Sequence, residues 1–263
     1  MRAAYPFVAR TTFVVTRPRG DSEAMVAWLT AHGATAFDFP VMSIAAIAPA
    51  PDAARLTRAR AIIFVSANAV RYGLAWLRAS GGLTPTQLIY AIGPTTAAAL
   101  VDAGVAHVQT AEAGADSEAM LALATLQDIA GHQILIIKGD SVGGGRHTLQ
   151  ETLQQRGAHV DELICYVRAK VMLPPVDIHT LVTKLAEPVP VVFFALSVET
   201  LDSLVANLGQ VIGWQSALFL VPHARVAAAA QAHGVRHIAV VPIPLTAAIE
   251  PLEKIMQHFI TQS

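Results

Sequence analysis

Short apolar runs alternate with longer runs of helical periodicity from one end of the chain to the other. Phe13-Val14-Val15 is a short apolar strand that ends at Thr16-Arg17-Pro18. Asp21-Ser22-Glu23 then opens a helix, since Asp or Ser can cap free backbone N–H groups and an early acid suits the helix dipole. Met25, Trp28, Leu29 and His32 follow at helical spacing, and Gly33 ends the run. Ala36–Pro40 reads as a second strand. Val41–Ile47, apolar and followed by Pro49 and Pro51, reads as an extended connector. Ala61–Val65 is a central strand that stops at Ser66-Ala67-Asn68, where Val70, Leu74 and Leu77 mark one face of a helix. Leu88–Ile92 leads through Gly93-Pro94-Thr95-Thr96 into an alanine-rich helix. Val105–Gln109 is a further strand, and Asp116-Ser117-Glu118 starts a further helix.

The second half is a blurred copy of the first. Ile134–Ile137 ends at Lys138-Gly139-Asp140, and Gly157 closes the next helix as Gly33 did. Val191–Phe194 echoes Ile62–Val65. Leu218–Pro222 precedes an alanine-rich helix ending at Gly234, as Ile92-Gly93-Pro94 precedes one ending at Gly104. The word DSEAM occurs at 21–25 and again at 116–120. The period is far too long for a solenoid. Continuous apolar runs of Ile, Val and Phe are the mark of parallel strands buried on both faces. The pattern therefore predicts an α/β protein of two similar parallel-sheet lobes, flavodoxin- or Rossmann-like, with right-handed crossovers.

Composition narrows this picture. A length of 263 residues suits two lobes. With 54% hydrophobic residues and a mean hydropathy of +0.49, the chain is not of the disordered class. No apolar run reaches the ~20 residues of a membrane helix. The opening MRAAYPFVARTTFVV is broken by Arg10 and reads as part of the fold rather than as a signal peptide. A net charge of −1 argues against a general nucleic-acid binder. The single Cys165 excludes an intrachain disulfide framework and fits a reducing compartment, so a cytoplasmic protein is expected.

Parallel sheets bind ligands beyond the carboxyl ends of their strands. That rule selects Thr16, Arg17, Ser66, Asn68, Gly93, Thr95, Thr96, Lys138, Gly139, Ala195, Ser197 and His223. The turn at Gly93 is no phosphate loop: neither G-x-x-x-x-G-K-[ST] nor G-x-G-x-x-G is present, and Pro94 removes a backbone donor. Gly143-Gly144-Gly145-Arg146 is glycine-rich, but its spacing matches no phosphate motif. Ten His include no H-E-x-x-H and no ligand-spaced Cys/His pair, so no metal site is expected. Ser66 lacks a nucleophile elbow; it reads as a helix cap, a ligand contact or both. Cys165 reads as a packing residue. What remains is a set of hydroxyls and helix N-termini with the cations Arg17, Arg19, Lys138, Arg146 and Arg168, which favours a ligand bearing carboxylates. Tyr166 interrupts an apolar strand, and by spacing alone it is an ordinary half-buried tyrosine. The residues by themselves stop at a two-lobed cleft protein for an anionic ligand, with no recognisable cofactor.

Six stretches in order resemble one family, uroporphyrinogen-III synthase, across nearly the whole chain. They are VVTRPRGDSEAMVAWLTAHGA, IIFVSANAV, IYAIGPTTAAAL, GADSEAMLA, ILIIKGDSVGGGRHTLQETLQQRGAHVDELICYVR and VPHARVAAAAQAHGV. The resemblance implies two lobes joined by a two-stranded β-ladder: residues 1–40 with 172–263, residues 50–162, and connectors at 41–49 and 163–171. It implies closure of hydroxymethylbilane, a linear tetrapyrrole polycarboxylate, to uroporphyrinogen III with loss of water and inversion of the last ring. No cofactor, nucleic acid or membrane is implied, and a monomer is expected. The family's return-connector tyrosine matches Tyr166, its Gly-x-x-Thr threonine matches Thr96, and its strand-end serine matches Ser66. In the other lobe Ala195 stands at the serine position, with Ser197 two residues on. The second turn there reads Pro222-His223-Ala224-Arg225, which suggests His223 or Arg225 as substitute contacts. Two rivals stay open at this stage: a non-catalytic two-lobed binding protein, and a nucleotide-dependent α/β enzyme disfavoured by the missing phosphate motifs.

Overall fold

The computed structural model describes residues 5–111, 116–141, 148–241 and 249–262. In chain order the elements are β1 (Thr12–Val15), α1 (Glu23–Ala31), β2 (Thr35–Asp38), β3 (Met42–Ala46), α2 (Ala53–Arg58), β4 (Ala61–Phe64), α3 (Ala67–Ala79) and β5 (Leu88–Ala91). Then come α4 (Pro94–Asp102), β6 (Val108–Gln109), α5 (Ser117–Leu121), β7 (Gln133–Ser141), α6 (Thr148–Gln155) and β8 (His159–Lys170). The chain finishes with α7 (Pro175–Ala186), β9 (Val191–Phe194), α8 (Val198–Leu208), β10 (Leu218–Val221), α9 (Ala224–Ala232), β11 (His237–Val240) and α10 (Glu250–Gln262). Two compact units result: Met1–Ser43 with Lys170–Ser263, and Ile44–Ala169.

The first unit holds a five-stranded sheet in the order β11-β10-β9-β1-β2, in which neighbouring strands pair parallel. Its inner strands β1, β9 and β10 are buried at every position, as continuous Val/Phe/Leu runs require. Val14, Phe193 and Phe219 pack on one face with Leu201 and Leu204 of α8, and Phe193 stacks on Phe219 at 4.9 Å. Phe13, Val15, Phe194 and Leu220 pack on the other face with Leu29 of α1 and Met256 of α10.

The second unit holds a six-stranded sheet in the order β3-β8-β7-β4-β5-β6. One face carries Ile62, Phe64, Leu135, Ile137, Leu163 and Cys165 under α3. The opposite face carries Ile63, Tyr90, Ile134 and Ile136 under α5 and α6. At the sheet edge, Ile47 N–H donates to the Cys165 carbonyl and Val171 N–H donates to the Val41 carbonyl, each at 2.9 Å. These bonds run antiparallel and make the two-stranded ladder of β3 and β8.

The two parallel-sheet units expected from the pattern are found, and the details differ at four places. The strand expected over Val105–Gln109 is only two residues long, because His107 lies at φ 55°, a left-handed conformation that interrupts extended backbone. The return connector is no separate element: β8 runs for 12 residues, pairing with β7 as far as Arg168 along one edge while its second half joins the β3 ladder along the other. Among elements the pattern did not single out, α7 starts where Pro174 and Pro175 preset the first turn, and β11 is a half-exposed edge strand. The repeated DSEAM words also differ. The Asp116 carboxylate caps α5 by accepting from Ala119 N–H at 2.9 Å, whereas Ser22 at the start of α1 makes no capping bond. Among the described residues no helix is long and apolar enough to cross a membrane, and no cluster of His, Cys, Asp or Glu could hold a metal.

Candidate functional site

The site is built by a single extra residue in β8. Its register with β7 runs evenly to Lys138↔Ile164 and then jumps to Gly139↔Tyr166, leaving Cys165 as a bulge. Before the bulge, odd-numbered residues of β8 face α3: Leu163 and Cys165 belong to that cluster, while Val160 packs on the opposite side. Strict alternation would send Tyr166 away from α3. The bulge instead returns Tyr166 to the α3 face, where it is 5% exposed and packs with Leu163 and Cys165. Its ring lies 5.6 Å from that of Tyr72 on α3.

Ser66 is the N-cap of α3, and its Oγ accepts from Ala69 N–H at 3.0 Å. The same Oγ lies 3.0 Å from the Tyr166 hydroxyl, and either hydroxyl can donate. Capping thus leaves Ser66 its own proton to give, and the positive end of the α3 dipole polarises the pair. Gly139 seats the phenol: a Cβ there would lie 2.2 Å from Cε2 and 2.3 Å from Cζ of Tyr166. The demand on this glycine is steric, since a bare Cα is what lets the ring lie against β7. Cys165 is fully buried, and its Sγ–H points to the Lys138 carbonyl at 3.4 Å. Burial pushes its thiol up to about 11, so it is a packing residue rather than a nucleophile.

These groups line a cavity of about 290 Å³ beyond the carboxyl ends of β4 and β5, with Val65 and Ile92 as walls. Ser66, Lys138, Gly139 and Tyr166 all contribute to it, as does Arg168. Lys138 Nζ lies 3.0 Å from Glu162 Oε1, with side chains 21% and 24% exposed. Glu162, Ser117 and Gln150 also line the cavity and were not singled out from sequence. A signal for Glu162 existed: it is a charge directly before the apolar run Leu163-Ile164-Cys165.

The remaining candidates lie elsewhere. Asn68 is half-buried in the first turn of α3. Gly93 is the buried N-cap of α4, Thr95 is exposed and Thr96 is buried; none of these four lines the cavity. In the other unit, Thr16 is fully buried and its hydroxyl donates to the Phe194 carbonyl, so it ties β1 to β9. Arg17 is half-buried and Arg19 exposed at the end of β1. Ala195 is fully buried, and Ser197 is the N-cap of α8, accepting from Thr200 N–H at 3.0 Å. His223, the N-cap of α9, and Arg225 are exposed. Arg146 and the glycines before it lie outside the described residues.

A sequence model of the family described as uroporphyrinogen-III synthase HemD matches residues 23–249. Over 162 residues the chain is 37% identical to the uroporphyrinogen-III synthase of Salmonella typhimurium, a match covering 60% of this chain and 65% of that enzyme. The corresponding enzyme of Proteus mirabilis is 33% identical over 162 residues, covering 60% of this chain and 80% of the relative. Among solved structures, the uroporphyrinogen-III synthetase of Helicobacter pylori superposes with a TM-score of 0.61 at 14% identity, covering 93% of this chain and 99% of that one. At that identity the superposition speaks for the fold alone.

Proposed function

Because the chain belongs to the uroporphyrinogen-III synthase family, we propose that it closes hydroxymethylbilane to uroporphyrinogen III. The observation that carries this reading is the family match over 23–249, within which the Tyr166–Ser66 hydroxyl pair lines a cavity with two cations, Lys138 and Arg168. The substrate is a linear tetrapyrrole whose rings carry acetate and propionate arms, which suits cations and helix N-termini better than a phosphate loop would.

The reaction needs a leaving group, a cation and geometry. The hydroxymethyl C–O bond breaks with its electron pair going to oxygen, which departs as water. The adjacent pyrrole nitrogen feeds its lone pair into the ring and leaves an azafulvenium cation. The substituted carbon of the last ring attacks this cation to give a spiro intermediate, which fragments and recloses with that ring inverted. Aromatisation of the closed ring finally releases a proton, which balances the one consumed when water left. In this reading Tyr166 donates to the departing hydroxyl while Ser66 donates to the phenol oxygen, so the α3 terminus strengthens the acid. Everything else is positioning, the larger contribution in a reaction with competing ring closures. Thr96, Ser197, His223 and Arg225 are carried as further substrate contacts on the resemblance alone, and Arg17 on its charge at a strand end. A monomer working in the cytoplasm completes the reading, for which the single buried Cys165 is supporting chemistry.

The test is isomer analysis. Fresh hydroxymethylbilane closes unaided to the type I isomer; the purified chain is expected to divert it to type III. Type I alone, at the spontaneous rate, overturns the proposal. Saturable ligand uptake without isomer change would establish the non-catalytic alternative instead.

A further inference from the structure

We infer that Glu162 is a catalytic carboxylate, which accepts the N–H of the ring losing its hydroxyl and stabilises the cation formed there. This rests on the reading proposed above. The cavity of about 290 Å³ falls just under the roughly 300 Å³ at which small-molecule pockets begin, so it takes one substituted pyrrole of four. Its polar lining complements one such ring group by group. Lys138 and Arg168 suit the two carboxylate arms, and the Tyr166–Ser66 pair suits the hydroxymethyl oxygen. The remaining function of the ring is its N–H donor, and the remaining charged group is an acceptor, Glu162.

A carboxylate in a site for a polyacid otherwise costs affinity. The Glu162 carboxylate lies 3.0 Å from Lys138 Nζ, and its backbone carbonyl accepts from Arg55 Nη2 at 2.7 Å. Lys138 has three donors, so pairing with Glu162 leaves it able to take a substrate carboxylate. As the C–O bond breaks, positive charge develops on the ring N–H facing Glu162. A hydrogen bond from a neutral donor to a carboxylate becomes one between opposite charges, so it strengthens as the cation forms. The gain is confined to the transition state, so it belongs in kcat and not in KM.

The experiment is steady-state formation of the type III isomer by Glu162→Gln, with Lys138→Met and the double variant alongside. Far-ultraviolet circular dichroism and thermal unfolding verify that each folds. Glu162→Gln is expected to lower kcat about 10- to 100-fold, the scale of one hydrogen bond to a charged group, with KM near the parent value or below it. The double variant removes the pair without net charge change and is expected to keep the kcat loss. Restoration of kcat in the double variant, or a loss confined to KM, would show that Glu162 merely balances Lys138 and would overturn the inference. A parent chain making no type III isomer would instead sink the underlying function, a result distinct from both.

Discussion

Ser66 and Ser197 start the helices that follow the central strands of the two units, and they solve the same problem. Each accepts a backbone N–H three residues on at 3.0 Å, from Ala69 and from Thr200. Their second bonds differ. Ser66 meets the Tyr166 hydroxyl, 100 residues away, whereas Ser197 meets Thr200 Oγ1 at 2.9 Å on its own helix. Unit one also spends a residue more between strand and cap: Ala195 and Leu196 stand where unit two has Val65 alone. One network opens into a cavity and the other closes on itself. Capping therefore explains why both serines are there, and only the bulged strand β8 explains why one of them meets a tyrosine hydroxyl at a cavity.

The sharpest way to break this contrast is at the seat of the phenol. Gly139→Ala should cost type III formation about 100-fold or more, since a misplacement of about an ångström is enough for that. It should also lower stability by about 1–3 kcal/mol through overpacking against the ring. Normal turnover in this variant would mean that the phenol need not sit where it does. Tyr166→Phe keeps the ring and removes only the donor, so turnover is expected to fall about 100-fold while the denaturation midpoint stays near the parent. Parent-like activity in the folded variant would take Tyr166 out of the chemistry.

The paired caps give a smaller and more discriminating measurement. Ser66→Ala and Ser197→Ala should each lose about 1 kcal/mol of stability as caps. Ser66→Ala alone should also slow turnover, about 5- to 10-fold for one hydrogen bond of about 1 kcal/mol to the phenol. Equal losses of activity in the two variants would erase the distinction between the units. The smallest effect concerns Cys165. Its thiol ionises only as pH climbs toward about 11, so at pH 8 roughly one molecule in a thousand is thiolate. Iodoacetamide at that pH should leave the native protein unmodified and label only unfolded chains; rapid labelling of the folded protein would contradict the buried placement.

Much of the fold was legible because it is written in contiguous runs. Val191–Phe194 and Leu218–Val221 are apolar throughout, and a strand buried on both faces has no other way to read. The half-exposed β11 was not singled out: it is a sheet-edge strand whose short apolar run Ile238-Ala239-Val240-Val241 stops at Pro242. At the site, Ser66 could be found because a strand end followed by a cap is a local pattern. Tyr166 was found by resemblance, and its spacing argued for an ordinary strand residue. What spacing lacks is the bulge: Cys165 is apolar on either register, so the run Leu163-Ile164-Cys165-Tyr166 gives no hint of which residue is unpaired. Gly139 was placed among ligand contacts for its strand-end position, while its sharpest constraint is a neighbour 27 residues downstream.

The single unpaired residue at Cys165 makes this segment of β8 sensitive to parity. Deleting Cys165 would leave Leu163 opposite Ile137, Ile164 opposite Lys138 and Tyr166 opposite Gly139 by plain alternation, so the phenol should keep its side and its neighbour Ser66. Deleting Ile164 and Cys165 together would instead set Tyr166 opposite Lys138, on the side of Ile136 and away from α3. Shortening by one residue should accordingly be tolerated here, and shortening by two should abolish type III formation.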